Sequence, residues 1–343
     1  MRRACLHLLG AVLLCVCIAP LAGCASGSAR GAVAAPMSST ADAPGGTAGG
    51  ALLMSDDFSH PNGPNRLIVN EWSHWNPNDP ARVLSAAWEL TSGSLFSVDG
   101  TGWTGFPDDT APDRYSEQHT DSQVFRMNTA RGSFGDVLQQ LDARINGFSG
   151  SAAFPPLNWD GVVLWPRYVN QFHLYFAYLL RKDGRVAITK KCPGQLAGGN
   201  FYNGGTYFDL DSGRYLGPTI LGRWYRLASS VQDNPDGSVT IRTFQDGRLA
   251  ARATDRGLGC PPIRARTHLG IRADNVDANF TRYRANALSA LLASSCPDSV
   301  VGAKRRIELA RMHRSGARAH VGRCPAAFAP ATGSSHTPTA RPG

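Results

Sequence analysis

The chain has 343 residues, with 35 basic against 26 acidic side chains and a net charge of +9. Ten of the basic residues lie in 282–343, opposed by Asp298 and Glu308, whereas residues 51–281 hold 22 basic against 23 acidic. The basic excess therefore belongs to a tail, and the near-neutral middle excludes a nucleic-acid-binding domain built on a basic face.

Arg2 and Arg3 precede an apolar run over 4–19, followed by Leu21-Ala22-Gly23-Cys24. A charged start, a short apolar stretch and small residues before a cleavage point predict a secretory signal, too short for a transmembrane helix. The tetrapeptide resembles the lipobox of bacterial lipoproteins. That resemblance implies a signal over 1–24, lipidation of Cys24, and an exported protein anchored by lipid to the cell membrane, facing outside the cytoplasm. Residues 25–51, rich in Ala, Gly, Ser and Pro, predict a disordered tether.

Residues 52–285 show short period-two runs separated by turn signals and no amphipathic helix. Trp88–Thr91 and Ser94–Val98 flank Ser92-Gly93. Val137, Leu141 and Ile145 share a core face, which turns Gln140, Asp142 and Arg144 outward. Val162 and Leu164 do the same for Trp165 and Arg167.

The stretch 171–191, QFHLYFAYLLRKDGRVAITKK, reads as the central hairpin. Phe172, Leu174, Phe176, Tyr178 and Leu180 form an unbroken apolar face, assigned to the core. Lys182-Asp183-Gly184 reads as a three-residue loop with Gly184 at positive φ, which sets Val186 and Ile188 opposite Leu180 and Tyr178. That register turns His173, Tyr175, Arg181, Thr189 and Lys191 away from the core. Next, 193–206 is a Gly-rich loop that would present Tyr202 and Asn203 over the same face. Further strands over 224–231, 239–245, 249–253, 268–272 and 279–283 are separated by Asn234-Pro235-Asp236-Gly237 and Asp246-Gly247, turns that join antiparallel neighbours. The expected fold is all-β: a two-sheet antiparallel jelly-roll sandwich.

Residues 286–343 leave this pattern and predict a basic, mostly disordered tail. After Cys24 the chain carries Cys192, Cys260, Cys296 and Cys324. In an exported chain without CxxC spacing these predict disulfides rather than a zinc site. Of the three possible pairings, Cys192–Cys260 with Cys296–Cys324 keeps each bridge within one region.

Several segments resemble the concanavalin A-like lectin/glucanase superfamily, in particular its exported bacterial laminin-G-like members. They are Asp56-Asp57-Phe58, the run from Trp88 to Phe96, Trp159-Asp160-Gly161-Val162, Arg181 to Val186, Asp236 to Val239, and Leu269 to Asn275. The resemblance implies two stacked, curved sheets with a concave face that receives a glycan. It also raises a calcium site at Asp57 and Asp274, where the two ends of the domain would meet; no other cofactor is expected.

The outward residues Gln140, Arg144, Trp165, Arg167, His173, Tyr175 and Lys191, with Tyr202 and Asn203 from the loop, suit a sugar polymer. Aromatic rings stack on pyranose faces, and Arg and Lys pair with carboxylates or sulfates. The primary reading is a glycan-binding module whose partners are a polysaccharide and, through its lipid, the membrane. A second reading is a lyase acting by β-elimination on a uronate polymer. Gln171-Phe172-His173 resembles the Gln-Ile/Val-His motif of alginate-lyase-type enzymes, and Gln140-x-Asp142-x-Arg144 their Arg-x-Glu-x-Arg strand. It implies His173 and Tyr175 as proton carriers and Arg144 or Lys191 as the neutralising cation, although the Tyr-Phe-Lys-Ala-Gly run of those enzymes has no counterpart. A third reading is a structural or adhesive envelope module without a small ligand. The lack of a Glu-x-Asp-x-x-Glu strand argues against a retaining glycosidase, and a serine hydrolase lacks support without Gly-x-Ser-x-Gly.

Overall fold

The computed structural model describes residues 50–108, 113–116, 123–152 and 154–288. Two antiparallel sheets face one another. The first runs β15 (Arg248–Asp255), β14 (Val239–Gln245), β13 (Trp224–Asp233), β7 (Val137–Phe148), β17 (Val276–Ala287), β5 (Thr101–Trp103), β4 (Ser94–Val98) and β2 (Leu67–Asn70). β1 (Leu52–Asp56) also pairs with β17. The second runs β11 (Asn200–Tyr202), β12 (Gly205–Tyr215), β10 (Arg185–Pro193), β9 (His173–Leu179), β8 (Val162–Asn170), β16 (His268–Asp274), β6 (Val124–Thr129) and β3 (Trp88–Ser92). The expected two-sheet antiparallel sandwich is the fold observed; one short α-helix, Glu71–Trp75, lies between β2 and β3.

Period-two alternation explains the layering. Leu141, Ala143 and Ile145 of β7, Val162 and Leu164 of β8, and Leu269 and Ile271 of β16 belong to one buried cluster between the sheets. At one end of this core Trp88 meets Tyr283 edge-on at 4.8 Å and Phe58 at 5.6 Å. Asp56 ties this group together, accepting from the Trp88 indole and the Phe58 amide, both at 2.7 Å. Removing such a ring costs about 3–5 kcal/mol, so the Asp-Asp-Phe motif is part of the framework.

The central hairpin differs from its expected register by one residue. Ile188 lies opposite Ala177, and Lys190 opposite Tyr175. Leu180 leaves the ladder at φ 45°, and Gly184 takes φ 70°, so the turn holds five residues rather than three. A one-residue slip exchanges the faces. Tyr175, Ala177 and Leu179 point into the core, while Leu174, Phe176 and Tyr178 belong to an aromatic cluster on the other face.

Tyr175 is accordingly fully buried. Its hydroxyl donates to Asp255 at 2.6 Å and accepts from the Ile263 amide at 2.9 Å. Lys190, equally buried, pairs with Asp255 at 2.8 Å and donates to the carbonyls of Leu258 and Cys260. The disulfide Cys192–Cys260 closes over the same segment, as the sequence favoured. Cys24, Cys296, Cys324, the signal, and nearly all of the tether and tail lie outside the described residues.

Candidate functional site

The outer face of the second sheet carries a depression of about 250 Å³. Its floor comes from alternate residues of neighbouring strands. Trp165 stands on β8, Leu174 and Phe176 on β9, Lys191 on β10 and Tyr207 on β12. Arg126 on β6 and Arg272 on β16 complete it, with Gln171, Tyr202 and Asn203 at the rim.

The floor is an aromatic shelf. Trp165 stacks on Tyr168 at 4.7 Å with 9° between planes, and Phe176 stacks on Tyr178 at 5.6 Å. Gly270 makes room for this: a Cβ there would stand 2.2 Å from Trp165 Cε3. The Trp165 ring is 2% exposed, and its indole N–H has no hydrogen-bond partner among the described residues. An unpaired buried donor of this kind costs the fold a hydrogen bond.

Charge is added to this shelf. Arg126 and Arg272 face each other directly across β6 and β16, an arrangement of like charges that costs stability. Asp274 engages Arg272 at 2.7 Å, and no carboxylate lines the groove among the described residues. Burial pushes Arg126 below its ordinary value, and the Arg272 charge adds to that. Lys191 donates to the Asn203 carbonyl at 3.0 Å and lies over the Tyr207 ring at 4.9 Å. Burial, then Arg272 and Arg126, lower its pKa to about 8. A groove with neighbouring cations on an aromatic floor is chemically suited to an acidic sugar.

Of the residues expected at the site, Trp165, Lys191, Tyr202 and Asn203 meet here. The others do not. Tyr175 is in the core because of the register change. Arg167 is also buried, bound to Asp233 at 2.7 Å and Asp136 at 3.2 Å, because the ladder shifts between Leu164 and Arg167, around Pro166. Proline lacks the ladder donor and sits where a bulge reverses the alternation. His173 is half-buried with its ring 4.0 Å from Cys260 Sγ, and burial, then Lys190, lower its pKa. Gln140 and Arg144 do turn outward, but on the first sheet, where Arg144 lies over Trp224 and donates to Asn279. The lyase set His173, Tyr175 and Arg144 is therefore not assembled.

The two residues raised for calcium stand in different surroundings. Asp57 is exposed and bonded to Ser59, whereas Asp274 is buried against Arg272 beside the groove. Among the described residues no three His, Cys, Asp or Glu side chains cluster as metal ligands. Sequence reasoning missed Arg126, Phe176, Tyr207 and Arg272. The signal for the two arginines was present, since Arg126 sits between Phe125 and Met127, and Arg272 between Ile271 and Ala273.

No protein-family model matches the chain, and no curated protein matches it. Solved structures do, all at low identity. An endo-acting O-glycanase of the human gut microbiota shares 11% identity, covering 70% of this chain and 100% of that one, with a TM-score of 0.42. The endo-1,3-beta-glucanase of Streptomyces sioyaensis shares 12%, covering 69% and 96%, with a TM-score of 0.39. The carbohydrate recognition domain of Emp46p shares 13%, covering 68% and 98%, with a TM-score of 0.36. These are likenesses only, and none of them assigns an activity to this chain.

Proposed function

We propose that the chain is an exported, lipid-anchored glycan-binding module whose groove receives an anionic polysaccharide, with uronate or sulfate groups facing Arg126, Lys191 and Arg272. The observation that carries this reading is the facing pair Arg126 and Arg272 on one aromatic shelf with Lys191. Like charges set side by side weaken the empty fold, and a bound anion converts that cost into affinity. The half-buried rings of Tyr202 and Tyr207 supply apolar surface for a pyranose face, with Trp165 and Phe176 packed beneath. Export and anchoring rest on the leader and on Leu21-Ala22-Gly23-Cys24. Cys24→Ala is expected to move the protein from the membrane to the soluble fraction.

The test is an array of neutral, uronate and sulfated glycans. Retention of acidic glycans only, weakening with salt, is expected. Lys191→Gln is expected to lower affinity about 10-fold or more, as loss of one charge-assisted hydrogen bond does. Equal retention of neutral glycans, or none of any, overturns the reading. Release of product absorbing in the near ultraviolet from a uronate polymer would show elimination instead of binding.

A further inference from the structure

Far from the groove, the connection between β12 and β13, residues 216–223, holds three bulky apolar side chains and no carboxylate. Leu216 is 39% exposed, Ile220 55% and Leu221 49%, and Tyr215 just before them is 64% exposed. These side chains are not on a loose loop able to fold back onto the core. The Leu216 amide donates to Gly184 O at 2.8 Å, Thr219 Oγ1 to Arg181 O at 2.9 Å, and the Gly222 amide to Ile145 O at 2.8 Å. The Ile220 amide donates to the Tyr225 hydroxyl at 2.9 Å. The backbone thus holds an apolar tip out in solvent, against the ordinary drive to bury it.

The rim of this tip is basic. Arg185 pairs across the ladder with Tyr215, Arg214 with Val186, and Lys182 occupies the turn that the Thr219 hydroxyl grips. All three are exposed and form no ion pair among the described residues. The nearby carboxylates Asp183 and Asp246 are engaged by Arg181 and Arg223. An exposed apolar tip with exposed cations on the strand ends and turn beside it suits an anionic bilayer surface, where phosphate lies above the acyl boundary.

We infer that the 216–223 connection docks on anionic membranes, with Leu216, Ile220 and Leu221 entering the interface and Lys182, Arg185 and Arg214 meeting lipid headgroups. Arg185 opens β10 and Pro193 closes it, so the tip and the Tyr202–Asn203 rim lie at opposite ends of a strand roughly 25 Å long. Docking would leave the groove open to solvent.

The test is sedimentation of the purified Cys24→Ala chain, which lacks the proposed lipid, with phosphatidylglycerol/phosphatidylcholine vesicles and with phosphatidylcholine alone. Ile220→Ser/Leu221→Ser is expected to lower affinity for the anionic vesicles at least 10-fold, with an unchanged melting temperature. Each of Lys182→Gln, Arg185→Gln and Arg214→Gln is expected to cost about fivefold. As a second readout, Leu221→Trp is expected to add fluorescence that brominated lipid quenches. Vesicle binding untouched by Ile220→Ser/Leu221→Ser, or no added quenching, overturns the inference. Loss of self-association in place of vesicle binding overturns it too, assigning the tip to a second copy of the chain. The groove variant Lys191→Gln is expected to bind vesicles like the parent, which keeps this outcome separate from that of the glycan array.

Discussion

Lys191 couples the groove to pH. In the folded chain its pKa is lowered to about 8 from an ordinary 10.5, with burial the leading cause. Below pH 8 folded and unfolded chains both hold the proton, and the cost of burying the charge is present in full. Between about 8 and 10.5 the unfolded chain binds more protons, so this residue's contribution to stability rises with pH there. A bound anion acts in the opposite direction, favouring the charged amine. Affinity for an acidic glycan is therefore expected to fall as pH rises through about 8, with proton uptake on binding near that pH. Calorimetry in buffers of different ionisation heat measures the uptake, and Lys191→Gln is expected to abolish it. Tyr175 illustrates the other face of the same hairpin. Tyr175→Phe removes a partner from Asp255 and from the Ile263 amide, and is expected to cost about 1–3 kcal/mol in urea unfolding while leaving glycan affinity unchanged. A loss of binding without a loss of stability would return Tyr175 to the groove.

At the scale of elements, the segment 256–263 is held down by groups that reach it from β9 and β10. Lys190 binds two of its carbonyls, Tyr175 accepts from Ile263, and Cys192 is bonded to Cys260. The disulfide spans 68 residues, and its removal is expected to cost about 2–4 kcal/mol. Asp255→Ala is expected to cost more, about 3–5 kcal/mol, because it strands the buried Lys190 charge. Denaturant unfolding of the reduced protein and of Asp255→Ala measures both. The strands of this region were legible as strands, but their direction of facing was not. Both faces of β9 are apolar, since one packs in the core and the other forms the groove shelf. Alternation decides inward from outward only where one face is polar. Arg167 fails for a related reason: the ladder shift near Pro166 inverts the alternation inside one strand.

For the whole molecule, the repeated Asp-Gly turns and short period-two runs determined an all-β antiparallel sandwich, because those patterns depend only on local backbone preference and on which side chains avoid water. They also determined that Trp165 faces outward, since Val162 and Leu164 alternate with it before the ladder shifts. Tertiary structure alone decided which strands lie side by side. Gln140 and Arg144 turn outward as expected, yet on the sheet that lacks the groove, because β7 lies between β13 and β17. Arg126 and Arg272 are 146 positions apart in the chain and become direct neighbours only when β6 pairs with β16. Periodicity is written within a strand, whereas a binding face is assembled from several strands whose order follows from long-range pairing.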